Sequence, residues 1–231
     1  MQIKIVSESL EGKVINMNTC KKVLEVSKKM ASLGLIQGTW GNVSARVKTD
    51  KGEYITITPS GMDYEKMKVE DMVILDASGN VISGTNKPSS EYRLHLGIYK
   101  HRKDINGIVH THSPYSTAMA ISHTEIPPAC EDLVQVIGGS VSVASYAHPG
   151  TVKLSENVVF ALSDKMAVLL ANHGLVSCGR TLEEALKAAQ IVEKSAMATV
   201  YAKLFGGAIH LPKKEIEKMR DFYVKSYGKP I

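Results

Sequence analysis

Short strand-like runs cluster in the first half of this chain and are joined by turns too brief to hold a crossover helix. Runs at residues 43–47 and 54–58 follow each other closely, and the second stops at Pro59-Ser60-Gly61. Another at 72–76 turns at Ser78-Gly79-Asn80 into Val81-Ile82. Strands joined this tightly pair antiparallel, because a parallel pair needs a crossover of a dozen residues or more. Further runs lie at 108–112, 140–144 and 167–171, with helical patterns around them. The clearest helix opens at Thr181, where Glu184 stands three residues on as in a capping box, and runs to about residue 204. Others are expected at 19–33 with Gly34 as the stop, from Pro88 to about residue 101, at 114–122, at 151–162 and at 213–223. The pattern predicts a single α/β domain, a mainly antiparallel sheet flanked by helices.

The 231 residues suit one large domain, and no linker divides them. We assign the domain to residues 18–231 and leave 1–17 as an extension, in which Ile3, Ile5 and Val14 suggest a stray strand or a loose arm. A net charge of +5 allows attraction to anions, but the Lys and Arg residues are scattered without the stripe that nucleic acid needs. No nucleic-acid or membrane partner is therefore expected. Cys20, Cys130 and Cys178 lie far apart and are odd in number, which reads as buried thiols in a reducing compartment. With no signal-peptide pattern at the start, a cytoplasmic protein is expected.

Three segments carry chemistry. In Val109-His110-Thr111-His112-Ser113-Pro114 two histidines two apart on a strand share one face, which fits a metal-ligand pair or two surface histidines. Asn172-His173-Gly174 ends a buried run with a polar residue, a common place for a site residue. Pro88-Ser89-Ser90-Glu91 sits at an expected helix N-terminus, where free N–H groups seat an anion or a serine merely caps. His95, one turn beyond Glu91, is a weaker candidate that suits packing or support better than ligation. Two Gly-containing turns, at residues 38–44 and 58–61, add donors and complete a possible phosphate cradle.

Taken together these segments resemble the class II aldolase/adducin family, and within it the L-fuculose-1-phosphate aldolase branch. The matching motifs are Gly38-Thr39-Trp40-Gly41-Asn42-Val43-Ser44, Ile57-Thr58-Pro59-Ser60-Gly61, Pro88-Ser89-Ser90-Glu91, Val109-His110-Thr111-His112, and Asn172-His173-Gly174 leading into Thr181-Leu182-Glu183-Glu184-Ala185. The resemblance implies a homotetramer with sites near subunit interfaces. It implies one Zn2+ per subunit, or another divalent metal such as Mn2+ or Co2+, on His110, His112, His173 and Glu91. It also implies a phosphate held by Thr39, Asn42, Ser60, Gly61, Ser89 and Ser90. The implied reaction cleaves a ketose 1-phosphate to dihydroxyacetone phosphate and a short aldehyde, through a metal-stabilised enediolate with Glu91 as base.

Ser-Ser-Glu favours aldolases over the related 4-epimerases, which carry Asp at that place, and the histidine set argues against an adducin-like assembly module. The family's acid tyrosine after Ile126-Pro127-Pro128 is missing, and Glu131 stands in its region. A glutamate there also resembles the dehydratases of the same fold, so epimerase, dehydratase and sugar-acid-phosphate decarboxylase remain as alternatives. Tyr227 matches a family tail tyrosine that contacts the aldehyde side.

Overall fold

The structure is a computed structural model that describes residues 10–50 and 52–227, with side chains from residue 17 onward. Eight strands form one sheet: β1 Asn42–Thr49, β2 Gly52–Ile57, β3 Val73–Asp76, β4 Val81–Ser83, β5 Gly107–Thr111, β6 Val143–Ala144, β7 Ala167–Leu170 and β8 Gly174–Gly179. Their order is β4-β3-β2-β1-β5-β8-β7-β6, and every pair is antiparallel except β6 with β7. Seven helices complete it: α1 Leu10–Ser32, α2 Tyr92–His101, α3 Pro114–Ile121, α4 Glu131–Ile137, α5 Val152–Leu162, α6 Leu182–Ala202 and α7 Lys213–Lys225. The expected mainly antiparallel sheet with flanking helices is what is observed.

Register decides which side chains face which helices. Asn42 pairs with His110, Val43 with Val109, and Val109 with Ser177. Partners across an antiparallel pair share a face and neighbours along a strand alternate. Val43, Val109 and Ser177 therefore point one way, toward α1 and α6, where the Ser177 hydroxyl donates to the Ala185 carbonyl. Asn42, Ser44, Arg46 and His110 point the other way, toward α2, which packs on α5.

Arg46 locks α2 in place. Its side chain is fully buried over the Tyr99 ring and donates to the carbonyls of Tyr99, Arg102 and Ile105. A helix C-terminus leaves such carbonyls without partners, and a guanidinium satisfies several at once while complementing the helix dipole. Glu193 on α6 does the converse for α3. Its carboxylate accepts from the N–H groups of Tyr115 and Ser116 and from the hydroxyls of Ser113 and Ser116, fixing the chain just beyond His112.

Several expectations need correction. α1 spans Leu10–Ser32, so Val14 is helical rather than in a strand; Ile3 and Ile5 lie outside the described residues. α2 begins at Tyr92 rather than Pro88. Pro88 forms a bridge with Pro59, Ser60 N–H donates to Lys87 O, and Ser89 N–H donates to Thr58 O, which holds this stretch extended. Thr181 caps α6 by accepting from Glu184 N–H, but the capping box stays half-made, because Glu184 instead takes the N–H and guanidinium of Arg180. Cys20 and Cys178 are buried thiols, while Cys130 is half-buried. Among the described residues no helix is long and apolar enough to cross a membrane.

Candidate metal centre and catalytic pocket

Three histidines reach one point from two neighbouring segments. His110 lies near the end of β5 and His112 just beyond it; His173 sits in the β7–β8 turn, and β8 is hydrogen-bonded to β5. That turn is tight. Asn172 takes a left-handed backbone (φ 58°), its Oδ1 accepts from His123 Nε2 at 2.7 Å, and His173 N–H donates to Leu170 O. Asparagine is among the few residues that adopt this conformation at low cost. Close backbone approach also demands glycine before β1. Gly41 has φ 103°, and a Cβ there would lie 2.8 Å from the His110 carbonyl oxygen. Any side chain at 41 would displace the strand that carries His110.

The three rings stand edge to face, with centroids 4.8–4.9 Å apart. Glu91, the residue just before α2, completes the group. Its Oε2 lies 3.1 Å from His110 Nε2 and its Oε1 lies 3.7 Å from His173 Nε2. His112 Nε2 lies 3.0 Å from His110 Nε2, and one ligand atom from each of the four residues falls within 4.8 Å of the others.

The donor set fits a divalent cation. His110 Nδ1 donates to the Leu175 carbonyl at 2.9 Å, which leaves the Nε2 lone pair facing inward. Two Nε2 atoms meet head-on, and the buried Oε1 of Glu91 has no hydrogen-bond partner. Three imidazoles and one carboxylate oxygen suit zinc, or a similar ion, in a site with an exchangeable position.

Electrostatics agrees. Burial pushes His112 down to about 3 and His173 down to about 4, and the charge on His110 adds to both. Burial also works against a charged His110, but the Glu91 carboxylate outweighs it and raises that imidazole. Burial favours a neutral Glu91; the charge and hydrogen bond of His110, with His173 and the Asn42 amide, overcome this and hold it below the usual carboxylate range. Burial likewise pushes His95 down to about 3.

These shifts predict an acid-sensitive fold in the EDTA-treated protein. His95, His112 and His173 are neutral when folded but titrate near 6.5 when unfolded, so their contribution is complete above about pH 6.5 and fades toward pH 4. His110 has the opposite sign, stabilising below about pH 6.5, but it is one group against three. Thermal melts of the EDTA-treated protein should therefore show a lower Tm at about pH 5 than at about pH 7. Equal melting temperatures would mean that these imidazoles are not held neutral.

Beside the cluster lies a cavity of about 280 Å3 lined by Thr39, Asn42, Ser60, Gly61, Ser89 and Ser90, with Glu91 and His173 at one wall. Every residue expected to hold phosphate reaches this one cavity. Trp40 and Pro149 also line it; Trp40, whose ring lies 5.9 Å from that of His112 at an angle of 46°, belongs to the segment at residues 38–44, whereas nothing in the sequence pointed to Pro149. Ser89 Oγ accepts from Glu91 N–H, so this serine also sets the carboxylate's backbone.

His95 lies outside the cluster, fully buried against Asn42 and Ser44. Glu131 is exposed in the first turn of α4, beside an Asp132–Lys194 ion pair. Tyr227 stacks on Tyr223 with Lys187 Nζ 5.2 Å from its ring. Lys187 lies on α6.

Residues 21–200 match the class II aldolase and adducin N-terminal domain family. The chain belongs to this family. It is 38% identical to the 5-deoxy-D-ribulose 1-phosphate aldolase of Bacillus thuringiensis serovar kurstaki, over 90% of this chain and 96% of that protein. It is also 38% identical to the L-fuculose phosphate aldolase of Haemophilus influenzae, over 87% of this chain and 89% of that one. A solved L-fuculose 1-phosphate aldolase superposes with a TM-score of 0.86 at 35% identity, covering 90% of this chain and 96% of that one. As a class II aldolase, the chain is an aldehyde-lyase, and metal-dependent chemistry goes with that class.

Proposed function

We propose that this class II aldolase reversibly cleaves a ketose 1-phosphate into dihydroxyacetone phosphate and a short aldehyde, with zinc or a similar divalent ion on Glu91, His110, His112 and His173. The observation that carries this is Glu91, whose buried carboxylate joins three imidazoles, Oε2 at His110 and an Oε1 without a hydrogen bond beside His173, at the wall of a cavity rimmed by hydroxyls. The relatives' names differ in the sugar, a ribulose phosphate in one and a fuculose phosphate in the other. The phosphate-bearing half is therefore what we carry over, and a 5-deoxy sugar is as good a candidate as fuculose.

Bound in this cluster, a divalent cation supplies Lewis-acid stabilisation of the negative charge that develops on the donor half of the substrate. Thr39, Ser60, Gly61, Ser89 and Ser90 hold the phosphate and so fix the reacting carbons against Glu91. Asn42 contributes through the amide hydrogen that Glu91 does not use. Once substrate takes its place in the cluster, Glu91 in the synthetic direction takes the C3 proton on Oε1, and in cleavage it returns it. His173 beside Oε1 and Asn42 beside Oε2 favour the ionised base until that transfer.

Glu131 and Tyr227, both exposed in the single chain, are assigned the aldehyde side, of their own subunit's site or a neighbour's. A homotetramer would supply such neighbours. Phe160, Phe205 and Ile209 are 89%, 88% and 90% exposed, and large apolar side chains left this open fit subunit contacts. Free thiols suit the cytoplasm.

Deuterium exchange into C3 of dihydroxyacetone phosphate, followed by NMR, tests the reaction without choosing an aldehyde. Zinc-loaded protein should exchange and EDTA-treated protein should not. Zinc bound without exchange would move the assignment to the dehydratases or decarboxylases of this fold. Ser90→Ala should raise the KM for dihydroxyacetone phosphate about 10-fold, the loss of one hydrogen bond to a charged group, and leave unphosphorylated dihydroxyacetone unaffected. Equal losses for both would remove Ser90 from the phosphate cradle.

A further inference from the structure

A file of buried polar side chains runs from the core to Glu91, and its hydrogen bonds allow one direction only. Asn42 Nδ2 lies 3.1 Å from Glu91 Oε2. A carboxylate oxygen accepts, so the Asn42 amide nitrogen is the donor and its Oδ1 faces His95 Nε2 at 2.5 Å. That nitrogen must carry the proton. His95 Nδ1 then accepts from Ser44 Oγ at 2.6 Å, and the Tyr99 hydroxyl, which donates to the Ser44 carbonyl at 3.0 Å, lies 2.8 Å from Ser44 Oγ. Asn42, Ser44, His95 and Tyr99 are 3%, 0%, 0% and 2% exposed, so water has no access to substitute for any member. None of the four has a buried side-chain polar atom without a partner.

The consequence falls on the two oxygens of Glu91. Turning the Asn42 amide over would set its oxygen against the carboxylate and its NH2 against the His95 N–H, two repulsions where there are now two bonds. Asn42 is thus held in the orientation that ties Oε2. Oε1 is left unpartnered beside His173.

We infer that His95 is a positioning residue for the base: by donating from Nε2 to Asn42 it fixes the amide that restrains Glu91 Oε2 and leaves Oε1 for the C3 proton. The inference rests on the aldolase assignment above. It differs from the sequence expectation for His95, which left packing and support undivided.

Two measurements test it. In metal-free protein labelled with 15N-histidine, His95 should show the Nε2–H tautomer. The Nδ1–H tautomer would overturn the inference, because it reverses the bonds that His95 makes with Asn42 and with Ser44. In zinc-loaded protein, His95→Leu should lower kcat for C3 exchange by about 10- to 100-fold with zinc content unchanged, the range seen when a supporting partner of a metal site is lost, and raise KM for dihydroxyacetone phosphate by a smaller factor through Asn42. His95→Gln sets an amide N–H near the Nε2 position and should restore most of that loss, which a purely structural role would not show. If His95→Leu does not fold, Ser44→Ala replaces it: removing the hydroxyl that donates to Nδ1 should weaken the tautomer preference and lower kcat in the same direction. Wild-type exchange with undiminished exchange in the folded variant overturns only the positioning role. Absence of exchange in the wild type overturns the aldolase assignment and the positioning role with it.

Discussion

Glu91→Gln should abolish C3 exchange while the protein stays folded and keeps metal. Glutamine has the shape of glutamate, so the void is nil and the bond to Asn42 can be remade through an amide oxygen. Three imidazoles remain to hold the ion. What is lost is the capacity to take a proton, and a positioned general base contributes about 10^2- to 10^4-fold. We expect the exchange rate to fall within that range, with zinc at one per chain by elemental analysis and a Tm close to wild type. Exchange within threefold of wild type would take the base role away from Glu91. Loss of zinc in parallel with exchange would make Glu91 a ligand first and leave its base role unsupported.

The second residue that matters most was legible for a simple reason. A strand alternates its faces, so His110 and His112 share a side wherever the strand sits, and Pro114 fixed where it had to end. The hydroxyl-bearing turns were legible too, because glycine and proline punctuate the chain locally. What the sequence did not disclose is long-range. β8 was missed, although Gly174 and Gly179 bound a short apolar run, because such a run reads equally as the lead-in to α6. α4 was not expected, because seven residues are a short run for a helix, although Glu131-Asp132 at the start and Gly138-Gly139 at the end mark one. The start of α2 was misplaced because the pairing of residues 58–60 with 87–89 is a contact between distant segments. The same limit explains His95. That Asn42 stands opposite His110 depends on the β1–β5 register, and that His95 reaches Asn42 depends on Arg46 clamping α2 over β1; neither is written in local spacing.

His110→Ala separates a metal centre from a mere cluster of polar groups. His110 is fully buried, near the middle of the sheet, and is the only one of the three histidines that both bonds a backbone carbonyl and touches Glu91 and His112. Its removal takes away one Nε2 and leaves the Leu175 carbonyl and Glu91 Oε2 each short of a partner. We expect zinc affinity to fall more than ~100-fold, beyond the loss that outer supporting partners cause. We also expect a stability loss of about 1–3 kcal/mol in the metal-free protein, from the buried groups left unpaired. His112→Ala is the control, because His112 is half-buried at the rim and its ring contacts are to Trp40 and the other histidines. It should lose zinc to a comparable degree with a smaller change in metal-free stability. If both variants bound zinc as wild type does, the ion would sit elsewhere and the three imidazoles would be only a buried polar cluster. If both lose zinc and only His110→Ala loses stability, the same side chain serves the core through Nδ1 and the ion through Nε2, and C3 exchange should vanish in both because the charge at C3 then has no electrophile to receive it.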